Sequence, residues 1–263
     1  MDDIKGSPDR FGYEWEKYCE IFPIYQEQFD RWTSPLIRKS EWKGKKFLDV
    51  GCGIGRNSYW PLTYGASEAL CIDVDNRTLE CARSNLKKFN CASVVNRSAY
   101  QINENDRFDI AFSIGVIHHL ESPKLALENM VESVKSGGSV LIWVYGYENN
   151  EWIVKYFDPL RKVLFSKLPI SAVHFLSIFP TLFLYIFIRL IKGKTEYLNL
   201  IRNFSFSHLR SIVFDQMLPK IANYYKEDEV KRLMNSVGLV NVKVNWVNEM
   251  SWSVIGDKSV VVR

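Results

Sequence analysis

The 263-residue sequence lacks most of the features that would stitch a chain together or carry it out of the cell. Its five cysteines, Cys19, Cys52, Cys71, Cys81 and Cys91, contain no C-x-x-C pair, and no histidine stands at metal-ligand spacing from any of them. A disulfide framework and a structural zinc site are therefore not expected, and a reducing compartment fits best. The opening residues, MDDIKGSPDR, are acidic and polar where a secretory signal needs a basic end and an apolar run. A cytoplasmic protein is the expectation. Strong charge of one sign is also missing. The formal net charge is only +4, which excludes an argument for nucleic acid from charge alone. No repeat at a period of 20 to 50 residues is present, which excludes solenoids and propellers.

What is present is a globular composition, 47% hydrophobic and 24% charged, enough to bury a substantial core. Short β-branched or aromatic runs at 45–51, 68–74, 93–98, 108–115 and 137–146 alternate with helical stretches at 55–65, 77–90 and 123–135. The last helix opens Ser122-Pro123, read as an N-cap followed by proline at the first helical position, and a stop is expected at Gly137-Gly138. Such alternation predicts βαβ units, right-handed crossovers and a parallel sheet covered on both faces. A further helix ending at Gly238, a strand at 239–247 and a last strand in SWSVIGDKSVVVR resume the pattern. The fold expected is a doubly wound, Rossmann-like α/β structure, a mostly parallel seven-stranded sheet with an α-helical cap inserted after strand 5. It divides into an aromatic-rich helical lid at 1–43, a core at 44–146 and 226–263, and the cap at 147–225.

Between the first strand and helix lies Asp49-Val-Gly51-Cys-Gly53-Ile-Gly55. Glycines there permit a tight turn and close approach of a ligand to backbone. The spacing is G-x-G-x-G, not the G-x-G-x-x-G of dinucleotide sites, and an acid beside it suits a ligand with an ammonium better than a pyrophosphate. Asp73, at the tip of the second strand, is placed to accept two hydrogen bonds from a ribose diol. Asp75, on the same face, is read as solvated, and Cys52 as a packing residue without a cation to lower its pKa.

FLDVGCGIGRN, CIDVD, FDIAFSIGVIHHL and VKSGGSVLIWV, in that order, resemble the class I S-adenosylmethionine-dependent methyltransferases over roughly 45–146 and, more loosely, 226–259. The resemblance implies S-adenosylmethionine as cofactor and no metal. It implies a cofactor site of Asp49, Gly51, Cys52, Gly53, Gly55, Arg56, Asp73 and Val74, with Ser98, Ala99, Ser113, Ile114 and Gly115 bordering the adenine and the amino-acid end. Ser98 departs from the family, which often has Asp there, so a hydroxyl or backbone contact must replace a carboxylate. Ser136 in place of the usual proline affects only a turn.

Methyl transfer requires in-line alignment and, for a hydroxyl acceptor, removal of a proton. His118 and His119 follow the fourth strand, with His119 preferred, and Tyr13 with Trp15 is a candidate lid over cofactor and acceptor. The apolar run LPISAVHFLSIFPTLFLYIFI, 168–188, has no charge if His174 is neutral, but Pro169 and Pro180 interrupt it and it lies inside one fold, which argues against a span. Between 152 and 194 seven cations (Lys155, Arg161, Lys162, Lys167, Arg189, Lys192, Lys194) face one acid, Asp158. This predicts either a buried cap closing an acceptor pocket or a dimer interface, or a helix pair meeting the inner face of a membrane. Arg202, His208, Arg210 and Lys220 are candidates to hold an anionic acceptor. The expected activity is methylation of oxygen or nitrogen on a small-molecule or glycan-type acceptor. The alternatives are a lipid or isoprenoid acceptor at the membrane surface, or a non-catalytic cofactor-binding scaffold. RNA is disfavoured because the cations flank apolar sequence.

Overall fold

A computed structural model describes residues 8–190 and 196–260 of the chain. Strand and helix alternate through the core: β1 (Lys46–Val50), α3 (Arg56–Thr63), β2 (Glu68–Asp73), α4 (Asn76–Leu86), β3 (Ala92–Asn96), β4 (Phe108–Ile114), α5 (Pro123–Ser133) and β5 (Val134–Tyr145). Two helices precede them, α1 (Pro8–Lys17) and α2 (Ile24–Thr33). After β5 come α6 (Asp158–Val163), α7 (Ile170–Leu176), α8 (Ile178–Leu190), α9 (Glu196–Ile201) and α10 (Phe206–Met217). Then α11 (Glu227–Asn235), β6 (Leu239–Val247) and β7 (Ser251–Lys258) complete the sheet.

The seven strands lie in the order β3-β2-β1-β4-β5-β7-β6. The first five are parallel, and β7 runs antiparallel to both β5 and β6. The chain winds outward in one direction through β1, β2 and β3, then returns to place β4 against the other side of β1. That reversal opens a crevice at the carboxyl ends of β1 and β4, where doubly wound sheets bind ligands.

Both faces of the sheet are buried, as parallel strands fed by crossover helices require. One face packs Leu48, Val50, Leu70 and Ile72 against α5 and α11 through Leu127, Met130, Val230 and Met234. The other face sets Phe47, Cys71, Ile110 and Phe112 against the aromatic residues before β1, among them Phe29, Trp32 and Trp42. Phe29 is fully buried, its ring about 6 Å from those of Trp42, Tyr64 and Phe112. Four of the nine N-terminal aromatic residues, Tyr25, Phe29, Trp32 and Trp42, are thus core.

Several local expectations are corrected. The helix over 123–135 stops at Ser133, and Gly137 and Gly138 lie inside β5. There the register against β4 shifts between Phe108 and Ile110, so the glycines absorb a bulge instead of ending the helix. Ser122 precedes α5 but its side chain caps nothing; Pro123 fixes the first turn. Asp75 is not a solvated acid: its carboxylate accepts from the backbone N–H of Arg77 and Thr78 and caps α4. Arg77 adds an ion pair to Asp75 and another to Asp9 of α1. Gly12 makes this docking possible, because a Cβ there would lie 2.0 Å from Asp75 Oδ2. The expectation of no disulfide is also corrected. Cys19 and Cys81 are bridged, their Cα atoms 5.6 Å apart although 62 residues separate them. Only the packing of α1 on α4 brings these thiols together, so no spacing motif announces the pair. Cys52, Cys71 and Cys91 are free.

The insertion turns its apolar side chains outward. Among the described residues, 12 of the 16 large exposed hydrophobic side chains lie between Trp152 and Leu190. Phe175, Phe179 and Phe183 are at least 60% exposed, and the Phe183 and Phe187 rings stack at 6.0 Å. The run Ile170–Leu190 is long and apolar enough to cross a membrane by length and composition, and only 17% of its most apolar window is buried. The expectation of a buried apolar cap is therefore met only by an inner stripe, including Val173, Thr181 and Ile188. Lys192 and Lys194 of the cationic flank lie outside the described residues, as do 1–7 and 261–263.

Candidate active site

The glycine loop is built by backbone conformation. Gly51, Gly53 and Gly55 have φ of 75°, 54° and 79°, left-handed values that an L side chain rarely adopts. At Gly51 a Cβ would also sit 2.4 Å from Val116 Cγ2. The loop is tied to β2 through Gly51 and Cys52 N–H, which both donate to Ile72 O at 2.9 Å. Gly53 N–H donates to Asp73 Oδ2 at 3.0 Å, while Asp73 Oδ1 accepts from Val74 and Asp75 N–H. The carboxylate thus orients the loop and still has lone pairs directed to the crevice. Burial pushes its pKa up, opposed by those backbone donors. Cys52 is buried and its thiol is pushed well up by desolvation, so it is a packing residue. Arg56, first in α3, lays its guanidinium over Trp15 at 4.6 Å, Tyr25 at 5.4 Å and Trp32 at 5.9 Å.

Asp49 departs from its expected role. It is 1% exposed and accepts from Ser58 Oγ at 2.6 Å, so its carboxyl faces α3 beneath the loop and does not line the cavity. Desolvation, with Asp73 nearby, raises its pKa to about 7. The folded state then holds a proton that the unfolded chain releases near pH 3.8, so stability falls as pH rises from there to about 7. Asp49→Asn keeps an acceptor for Ser58 and removes that titration. Denaturant unfolding is expected to show the variant more stable than wild type at pH 8 by about 1–3 kcal/mol, with the gap closing at pH 4. A gap independent of pH would contradict the assignment.

One cavity of about 810 Å³ runs along the carboxyl edge of the sheet. From the sequence candidates it gathers Gly51, Cys52, Gly53, Arg56, Asp73 and Val74 at one end. Ser98, Ala99, Ile114, Gly115 and His119 also line it. Ser98 keeps a short polar group there, its Oγ accepting from Tyr100 N–H at 3.2 Å. Gly55 does not reach the cavity and packs on Leu86. Neither does Ser113, which is fully buried and donates to Val50 O at 2.8 Å.

The catalytic candidates separate cleanly. His118 is fully buried with no partner for either ring nitrogen, outside the cavity, and desolvation holds it well below its ordinary pKa. His119 lines the cavity and binds Ile221 O through Nδ1 at 2.7 Å. Since a carbonyl only accepts, Nδ1 carries the proton and Nε2 keeps a free lone pair. Burial lowers its pKa to about 4, so it is neutral near pH 7. Tyr13 is not a lid residue: it packs between His174 and Phe214, while its neighbours Phe11 and Trp15 reach the cavity. Of the four residues considered for an anionic acceptor, only His208 lines the cavity. Arg202 donates to Arg189 O and Arg210 to His174 O, both structural uses.

Among the polar cavity residues that escaped sequence reading are Glu14, Gln28, Tyr145 and Asp215. Tyr145 carries the only positional signal, standing at the end of β5. The Tyr145 hydroxyl donates to Asp215 Oδ2 at 3.0 Å and accepts from Gln216 Nε2 at 2.8 Å. The insertion also adds apolar side chains to the lining, among them Phe157, Leu160, Pro180, Leu184, Ile212 and Met217.

Residues 48–142 match a family model described as a methyltransferase domain. The chain is 25% identical over 170 residues to a mitochondrial ubiquinone biosynthesis O-methyltransferase of Dictyostelium discoideum, covering 59% of this chain and 50% of that one. It is 32% identical over 115 residues to a tRNA U34 carboxymethyltransferase of Proteus mirabilis, covering 43% of this chain and 36% of that one. The chain thus spans half or less of these relatives. Among solved structures, the magnesium protoporphyrin IX methyltransferase of Synechocystis PCC 6803, with bound SAH, shares the fold at a TM-score of 0.60 and 12% identity, covering 96% and 98% of the two chains. A SAM-dependent methyltransferase from Aquifex aeolicus does so at 0.56 and 17%, covering 94% and 97%.

Proposed function

We propose, from the chain's membership in the class I S-adenosylmethionine-dependent methyltransferases, that it methylates an amphiphilic acceptor whose apolar body occupies the insertion side of the cavity. S-adenosylmethionine supplies an electrophilic methyl on a sulfonium. Gly51 and Gly53 offer it open backbone, Asp73 receives its ribose hydroxyls, and Ser98, Ala99, Ile114 and Gly115 border its adenine side. Arg56, held on three aromatic faces, serves its carboxylate end. His119 presents a neutral Nε2 to the acceptor side, where it orients the nucleophile and takes up a proton if the acceptor is a hydroxyl.

One observation carries the acceptor class. Trp152, Leu160 and Pro180 are exposed on the outer apolar face and also line the cavity, so the cavity borders that face through apolar side chains. A glycan or polyanionic RNA gains nothing from such a border, and the acidic pair Glu14 and Asp215 repels phosphates. An acceptor held in a membrane would enter by it, with the exposed cations Lys155, Lys162 and Lys167 set against anionic headgroups.

The test is transfer of labelled methyl from S-adenosylmethionine into a bacterial lipid extract and into the matching aqueous extract. Label in the organic phase is expected; label confined to the aqueous phase would overturn the lipid assignment. With an acceptor in hand, His119→Ala is expected to lose about tenfold in rate, a modest effect because a base this weak gains little by Brønsted behaviour. The wild-type rate should fall only as pH drops through about 4, where His119 protonates, and the variant should lack that limb. An unchanged rate and pH profile would leave His119 a packing residue.

A further inference from the structure

Two buried carboxyl groups of the cavity lining act on each other, neither of them in an ion pair among the described residues. Glu14 projects from α1 and Asp215 from α10, and both line the cavity. Glu14 is 0% exposed, and neither of its oxygens has a hydrogen-bond donor among the described residues. Asp215 receives the Tyr145 hydroxyl, which is itself positioned by Gln216. Gln28 on α2 adds a third group from a separate element: it is 8% exposed, lines the cavity, and its Oε1 also lacks a donor.

Carboxylate and amide oxygens only accept, so these groups are a set of buried lone pairs waiting for N–H or O–H groups. The nearby cations act on the two acids only at a distance, since their side chains are held by other partners. Arg56 lies over three aromatic rings, and Arg161 pairs with Asp158. His119 and His208 are held neutral by desolvation. Burial pushes both carboxyls up, and Asp215 adds to the rise at Glu14, so a cation brought beside them restores their charged form. A hydroxyl would bring one donor and no charge. An alkylammonium brings three donors and a positive charge, while its chain matches the apolar side chains that the insertion adds to the lining. A metal ion is a poorer match, since no group of three His, Cys, Asp or Glu able to hold one occurs among the described residues.

We propose that Glu14 and Asp215, in the cavity that Gln28 also lines, form a binding site for a primary amine head carried on an apolar body. The assignment rests on the cavity being the acceptor site, and it narrows the amphiphile to an amine.

The probes are octylamine, octanol and octanoate, titrated by calorimetry into the full-length protein saturated with S-adenosylhomocysteine at pH 7.5. Octylamine is expected to bind at least about tenfold more tightly than octanol, and octanoate most weakly. Glu14→Gln with Asp215→Asn should abolish the preference while S-adenosylhomocysteine affinity stays within about threefold, which also certifies folding. If the double variant does not fold, Glu14→Gln alone should still halve the preference or more. Equal binding of amine and alcohol by wild type, or an unchanged preference in a folded variant, would overturn the proposal. A parallel loss of S-adenosylhomocysteine affinity would also overturn it, placing the acids at the cofactor's amino-acid end. Wild-type protein that binds octylamine selectively but no S-adenosylhomocysteine would sink the methyltransferase reading and leave the amine site standing.

Discussion

Asp73→Ala is expected to weaken S-adenosylmethionine binding by about 10²- to 10⁴-fold, from the loss of two charge-assisted hydrogen bonds worth roughly 1.5–3 kcal/mol each. The same carboxylate also holds Gly53, Val74 and Asp75 N–H, so its removal frees the loop as well as the ribose contact. Asp73→Asn separates the two effects: it retains an oxygen for one backbone donor but cannot receive a full diol, and should fall between wild type and Ala. Calorimetry giving wild-type affinity for the Ala variant would refute the ribose role outright.

Replacing Phe183 and Phe187 by Glu is expected to remove binding to anionic lipid vesicles by a comparable factor. Each buried phenyl contributes about 1.5–3 kcal/mol on leaving water, and each added carboxylate is repelled by the headgroups. Because Phe183 is 71% and Phe187 37% exposed, the substitutions should not disturb the fold. Co-sedimentation of wild type with phosphatidylserine-containing vesicles should weaken as salt rises, since Lys155, Lys162 and Lys167 act through a screened field. Indifference of wild type to vesicles would eliminate the membrane version. A dimer that the double variant dissolves would assign the face to a second copy of the chain instead.

The glycine loop, Asp73 and His119 were legible because each occupies a fixed place relative to a strand end: a turn that needs left-handed backbone, a tip, a following loop. Strand and helix order was legible for the same local reason. Where two neighbours compete, however, spacing is silent. His118 and His119 differ in that one is fully buried outside the cavity and the other lines it, and of Tyr13 and Trp15 on one short helix only Trp15 lines the cavity. Ser113 and Asp49 stood in motif positions yet spend their side chains on Val50 O and Ser58.

By itself, then, the sequence determined the doubly wound sheet and the position of the glycine loop, since hydrophobic period, glycine and turn chemistry act over a few residues. It also determined that 168–188 is apolar, though not which way it faces; outward exposure followed from how α7 and α8 pack on α10 through one narrow stripe. Only the tertiary structure joined Cys19 to Cys81 and brought Glu14, Gln28, Tyr145 and Asp215 from four elements to one cavity. Such meetings are long-range by nature. They depend on which helices dock on which sheet edge, and a buried carboxyl without a partner becomes visible only when everything around it has been placed.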